Sequence, residues 1–163
     1  MRLGARLGLA ICAVLLAASA VHASRVALLV GNSEYGSAAA FLRNPVNDAS
    51  GLAEVLEPLG FDVTVVLNGE INEIESAVAQ FGEDAAGAEL ALFYFAGHGV
   101  QVDGRNFLLS SSFRHGFRDV VEQSLNLDDV RAALDAAAPG IGIVVLDLSL
   151  IHISEPTRLE SKS

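Results

Sequence analysis

Four short apolar runs recur along this chain, separated by segments whose apolar residues fall at helical spacing. Arg25 to Val30, Phe61 to Leu67, Leu90 to Ala96 and Ile141 to Leu146 read as strands, and the first and fourth are too continuous to alternate with solvent, the pattern of strands buried on both faces. Between them, Asn47 to Leu59, Glu70 to Asp84 and Leu127 to Ala137 read as helices, and Asn47 or Asp48 is placed to cap the first. Gly60 stops that helix, Asn68-Gly69 closes the second strand, and Val100 to Leu109, with Asp103-Gly104 in its middle, reads as a hairpin. Strand and helix in alternation predict an α/β fold: a mostly parallel central sheet with helices on both faces and a ligand site beyond the carboxyl ends of the strands. Gly31, His98 and Asp147 all fall at such ends.

The N-terminus has a different character. Arg2 and Arg6 precede the apolar run Leu7 to Ala18, and Val21-His22-Ala23 supplies small residues for a cleavage site, so residues 1–23 read as a secretory signal peptide. The run is short for a membrane span. The mature chain is expected to begin at Ser24, to be exported to a periplasmic or extracellular location, and to make no membrane contact once the signal is removed. Cys12, the only cysteine, lies inside the signal and follows Ile11, not the small residue of a lipoprotein signal. The mature sequence as it stands is therefore without disulfides, thiolate metal sites or cysteine catalysis. The net charge of −10 becomes −12 once Arg2 and Arg6 are removed with the signal. Such a surface repels nucleic acid and anionic lipid, and it favours a basic ligand.

After Asp147 the composition changes. Arg25 to Asp147 contains no lysine, whereas the last stretch is rich in Ser, Ile and Leu and carries Lys162. A buried strand should lead into a loop and another helix. Instead, Leu148 to Arg158 resembles the codon-by-codon translation of a transposon-end adapter used in preparing sequencing libraries. Residues 148–163 are accordingly expected to be a non-native tail.

Among the four histidines, His98 is the candidate for chemistry. Neutral imidazole is the usual general base because its pKa lies near operating pH, and His98 sits between two glycines at the end of a strand, where backbone can approach a substrate. His115 falls in an expected surface loop; His22 and His152 belong to the signal and the tail. The spacing of histidines and carboxylates supports no metal site.

Five segments then carry a resemblance: Arg25-Val26-Ala27-Leu28-Leu29-Val30-Gly31-Asn32 with Tyr35; Leu42-Arg43-Asn44-Pro45-Val46-Asn47-Asp48-Ala49; Leu59-Gly60-Phe61; Phe93-Tyr94-Phe95-Ala96-Gly97-His98-Gly99; and Val144-Val145-Leu146-Asp147. In this order they resemble the caspase-like cysteine peptidase family (clan CD, peptidase family C14) on its bacterial metacaspase and paracaspase side, over about Arg25 to Asp147. The resemblance implies a caspase-hemoglobinase fold, incomplete at the C-terminus, with residues 24–147 as the N-terminal part of the peptidase domain. It implies a nucleophile in an Asp-x-Cys pattern after the fourth strand, so Asp147 matches the aspartate and Ser149 stands where the cysteine belongs. Ser149 follows His98 by 51 residues, close to the roughly 50 expected between histidine and cysteine in caspases.

The further implications are residue by residue. His98 would generate or position the thiolate, and the Gly99 N–H is the candidate oxyanion donor, a glycine needed only for the turn being the alternative. Asp48 and Asp147 match two carboxylates that pair with an Arg or Lys side chain of a protein or peptide substrate; for Asp48 a helix cap is the competing role. True caspases cleave after Asp using arginines, which keeps Arg43 and Arg105 in view. No cofactor is implied, although calcium dependence, known among metacaspase-like relatives, remains open for the intact parent given the many acids. With Ser149 in place of cysteine, this chain is expected to be inactive as a peptidase. The alternatives are a non-catalytic caspase-like binding or scaffold module, and a nucleotide-binding domain with Gly31 to Gly36 as its phosphate loop, which fits the usual fingerprints poorly.

Overall fold

The computed structural model describes residues 24–36, 41–114 and 117–150. The expected signal peptide with Cys12 and His22, the loop residue His115, and the tail beyond Leu150 with His152 lie outside the described residues.

Among the described residues, ten α-helices and strands follow one another: β1 (Arg25–Gly31), α1 (Pro45–Leu56), β2 (Phe61–Leu67), α2 (Ile71–Asp84), β3 (Leu90–Val102), β4 (Arg105–Leu109), α3 (Phe117–Glu122), β5 (Ser124–Asn126), α4 (Leu127–Ala137) and β6 (Ile141–Leu150). The four strands expected from apolar continuity, β2, β1, β3 and β6, lie side by side and parallel, while β4 and β5 extend the sheet in antiparallel pairing. The sheet is therefore mixed and mostly parallel.

Alternation along each strand explains the unbroken apolar runs, because successive side chains enter different layers. Leu28, Val30, Phe93 and Phe95 pack with Ile74, Val78 and Phe81 of α2 and with Val130 and Leu134 of α4 on one face. Ala27, Leu29, Leu92 and Tyr94 pack with Ala49, Ala53 and Leu56 of α1 on the other. Helices thus cover both faces. A third cluster, built on Tyr35, Val100, Phe107 and Leu109, sits under the hairpin.

Several local expectations are corrected. Helix α1 starts at Pro45, two residues before Asn47, because proline's fixed φ and missing N–H suit the first helical position. Asn44 is then the N-cap, and Asp48 lies within the first turn, where its carboxylate meets the positive end of the helix dipole without capping it. Strand β3 does not end at the glycine-flanked histidine: it runs on to Val102, its last residues turning through Asp103-Gly104, both at positive φ, into β4. Strand β6 continues past Asp147 to Leu150 and is not buried on both faces; Ile141, Ile143 and Val145 are 53%, 37% and 42% exposed. These three are register partners of Leu90, Leu92 and Tyr94 on the α1 side, but α1 packs over β1 and β3, and no described element covers β6 there. The short α3 and β5, which carry the chain back beside β4, have too few residues to leave a periodic signal.

Candidate active site

Register builds the site. Gly31 of β1, Ala96 of β3 and Asp147 of β6 are neighbours across the sheet at its carboxyl rim, and two residues further on His98 is the partner of Ser149. Because side chains alternate, Ala96, His98, Asp147 and Ser149 share the α1 side of the sheet. There a cleft of about 220 Å3 opens, lined by Arg43, Asn44, Pro45, Asp48, Asp147 and Ser149 among others. The loop before α1 supplies one wall, and the rim of β3 and β6 the other.

His98 is 7% exposed. Its Nδ1 lies 3.1 Å from the Ser149 carbonyl oxygen, a contact that places the ring proton on Nδ1 in the neutral imidazole. The His98 backbone N–H donates to the Tyr35 hydroxyl at 2.8 Å, and the Tyr35 and His98 rings meet with centroids 4.6 Å apart, tilted by 54°. The Tyr35 hydroxyl in turn donates to the Asn32 carbonyl at 3.1 Å. Burial holds the Tyr35 phenol far above its ordinary range, so it remains a neutral donor and acceptor. Gly97 permits this arrangement: a Cβ at that position would come within 2.6 Å of the Tyr35 oxygen.

Asn32 anchors the loop that carries Tyr35. Fully buried, its side chain donates to the Leu109 carbonyl at 3.0 Å and accepts the Gly69 N–H at 3.0 Å, and its backbone N–H donates to the Ala96 carbonyl. The loop's amides are spent on the fold: Ser33 N and Glu34 N both donate to Asn68 Oδ1. A phosphate cradle needs such amides open, so the nucleotide-loop alternative for Gly31 to Gly36 fails on this observation.

Asp48 and Asp147, expected from distant segments of sequence, line the same cleft, both exposed to solvent. Tyr94, buried on the α1 side of β3, has its phenol pKa raised, first by desolvation and then by the charges of Asp147 and Asp48. Arg43 lines the cleft as well, whereas Arg105 stands over the Phe107 ring in the hairpin, 5.6 Å from its centroid. Gly99 sits inside β3, opposite Leu108 of β4 and Leu150 of β6, so its amide lies in the plane of the sheet; the Leu148 side chain is 3.0 Å from where its Cβ would be. Among the described residues no group of three or more His, Cys, Asp or Glu side chains converges as a metal site would require.

Sequence reasoning singled out His98, Ser149, Asp48 and Asp147, and these come together. It gave Tyr35 and Asn32 no role. The available signal was their position, in the loop leaving the strand adjacent to β3, which puts them at the same rim as residue 98.

Comparison with known proteins gives a consistent answer. A family model of the caspase domain, peptidase family C14, matches residues 24–158. The human mucosa-associated lymphoid tissue lymphoma translocation protein 1 is 27% identical over 124 residues, covering 76% of this chain and 15% of that protein. Its mouse homologue is also 27% identical, over 14% of its length. Among solved structures, caspase-1 from Spodoptera frugiperda superposes with a TM-score of 0.58 at 22% identity, covering 77% of this chain and 47% of that one. The Drosophila initiator caspase Dronc does so with a TM-score of 0.58 at 13% identity, covering 74% and 47%. The chain thus spans about half the length of these caspases and a small part of the curated relatives, and it shares the caspase α/β fold.

Proposed function

This chain belongs to the caspase-domain family of peptidases, and we propose that its residues 24–147 are the front part of an exported cysteine endopeptidase that cleaves after Arg or Lys. The observation that supports the reading is the pairing of His98 with residue 149, beside a cleft lined by Asp48 and Asp147.

In the intact parent, a cysteine stands at position 149. The His98 imidazole takes the thiol proton, the thiolate attacks the scissile carbonyl carbon, and the carbonyl π electrons move to oxygen, where main-chain amides hold the oxyanion. Collapse expels the amine, which takes the proton from the imidazolium, and water then hydrolyses the acyl-enzyme with His98 as base. Asp48 and Asp147 receive the basic side chain before the scissile bond as charge-assisted hydrogen bonds, and the acidic surface concentrates such substrates. No cofactor takes part in these steps; calcium acts, where it does, on the intact parent.

Residues 148–163 are read as the non-native tail, and Ser149 leaves the chain as it stands inactive, because a hydroxyl needs stronger activation than a thiol to become a nucleophile. An independent clone of the parent gene, prepared without adapter chemistry, tests this. The expected result is a Cys codon two after Asp147 and cleavage of Arg- and Lys-containing peptides that His98→Ala abolishes. Any other residue at that position supports the non-catalytic scaffold instead. Hydrolysis by the present chain that His98→Ala abolishes overturns the inactivity.

A further inference from the structure

We propose that Tyr35 is a positioning residue for His98: its hydroxyl holds the His98 backbone and its ring backs the imidazole, so that the imidazole keeps the orientation facing residue 149. The inference rests on the reading of His98 as the catalytic base. Its geometry is independent of that reading.

Two different contacts converge on one residue. The phenol oxygen accepts the His98 N–H at 2.8 Å while donating to Asn32 O at 3.1 Å, so both hydrogen-bonding capacities of the hydroxyl are used and its position is fixed from two sides. The ring lies at 4.6 Å from the imidazole in a tilted arrangement, which restricts the imidazole's rotation about its own side chain. Asn32, which the hydroxyl reaches, is itself tied to Leu109 and Gly69 and is completely buried. The chain of contacts therefore runs from β4 and the loop after β2, through Asn32 and Tyr35, to the candidate base. Gly97 leaves the space through which the hydroxyl reaches the strand, since any Cβ there would collide with it.

A purely structural tyrosine would stabilise the loop and leave the imidazole's proton placement unchanged. A positioning tyrosine governs which ring nitrogen carries the proton, because the Nδ1 contact with Ser149 O depends on ring orientation. The test is the imidazole 15N spectrum of the full chain labelled at histidine, with His98→Gln assigning the signal. The expected result is a His98 tautomer with the proton on Nδ1, whose ratio over the other tautomer falls by about fivefold in Tyr35→Phe, while amide exchange in α2 and α4 is unchanged. An unchanged tautomer ratio in a folded Tyr35→Phe overturns the proposal. Should that variant unfold, the unmodified chain decides. Slow exchange of the His98 amide together with ring-to-ring NOEs between Tyr35 and His98 supports the contact, and their absence overturns it. In the intact parent with its cysteine, Tyr35→Phe lowers kcat by about tenfold with KM unchanged. A parent that lacks the cysteine removes the proposed peptidase activity but leaves the tautomer result to judge Tyr35.

Discussion

His98 and Ser149 are partners in the parallel pairing of β3 with β6, and the imidazole Nδ1 of the first lies 3.1 Å from the carbonyl oxygen of the second. The contact uses only backbone at residue 149, so it is indifferent to which side chain stands there. Ser149→Cys should retain the fold and present its thiol beside the imidazole. With Cys12→Ser removing the other thiol, alkylation of residue 149 near neutral pH is expected to be about tenfold faster than in the same protein carrying His98→Ala. Equal rates would mean that the imidazole does not activate this position.

Asp48 and Asp147 line one cleft, so the proposed site for a basic side chain can be tested without catalysis. A small guanidinium or amidinium ligand such as benzamidine should bind the chain weakly, and Asp48→Asn or Asp147→Asn should each weaken binding by about tenfold, in keeping with a charge-assisted hydrogen bond. Calorimetric titration measures it. A binding constant unmoved by either substitution would place the basic side chain elsewhere.

Asn32→Ala leaves the Leu109 carbonyl and the Gly69 N–H without their buried partner. The expected loss of stability is about 2–4 kcal/mol, from two orphaned polar groups in an interior that water does not reach. Urea denaturation compares the variant with the unmodified chain.

Stability should fall as pH rises above the ordinary tyrosine value of 10.0, since both tyrosines have raised pKa values in the folded state. The sign follows from proton binding: above that pH the unfolded phenol loses its proton while the buried Tyr35 keeps it, so alkali favours unfolding. The stabilisation is complete below that value and declines through the alkaline range towards the folded-state pKa. Tyr35→Phe should flatten the decline in urea midpoint between about pH 9 and about pH 11.

The uncovered α1-side face of β6, with Ile141, Ile143 and Val145 exposed, adjoins a strand with no described partner on its outer edge. Exposed edges bearing apolar residues pair with other chains. The protein is expected to self-associate with rising concentration, and Ile143→Lys with Val145→Lys to reduce this without lowering the unfolding midpoint, because neither side chain is buried. Sedimentation velocity across a concentration series checks the outcome.

Much of this architecture was legible in the residues themselves. Apolar continuity marked β1, β2, β3 and β6, helical spacing marked α1, α2 and α4, and Asp103-Gly104 marked the hairpin, because each depends on neighbours within a few positions along the chain. The sequence motifs also pointed to His98, Asp48, Asp147 and position 149. What periodicity could not convey was register. That Ala96 aligns with Asp147, that His98 therefore meets residue 149, and that Asp48 and Asp147 open onto one cleft follow from how β3 and β6 slide against each other to bury Phe93, Phe95 and the facing side chains of α2 and α4. The placement of Tyr35 against His98 across 63 residues, and the bare face of β6, were likewise decided by packing over long distances in the chain, where no local pattern reaches.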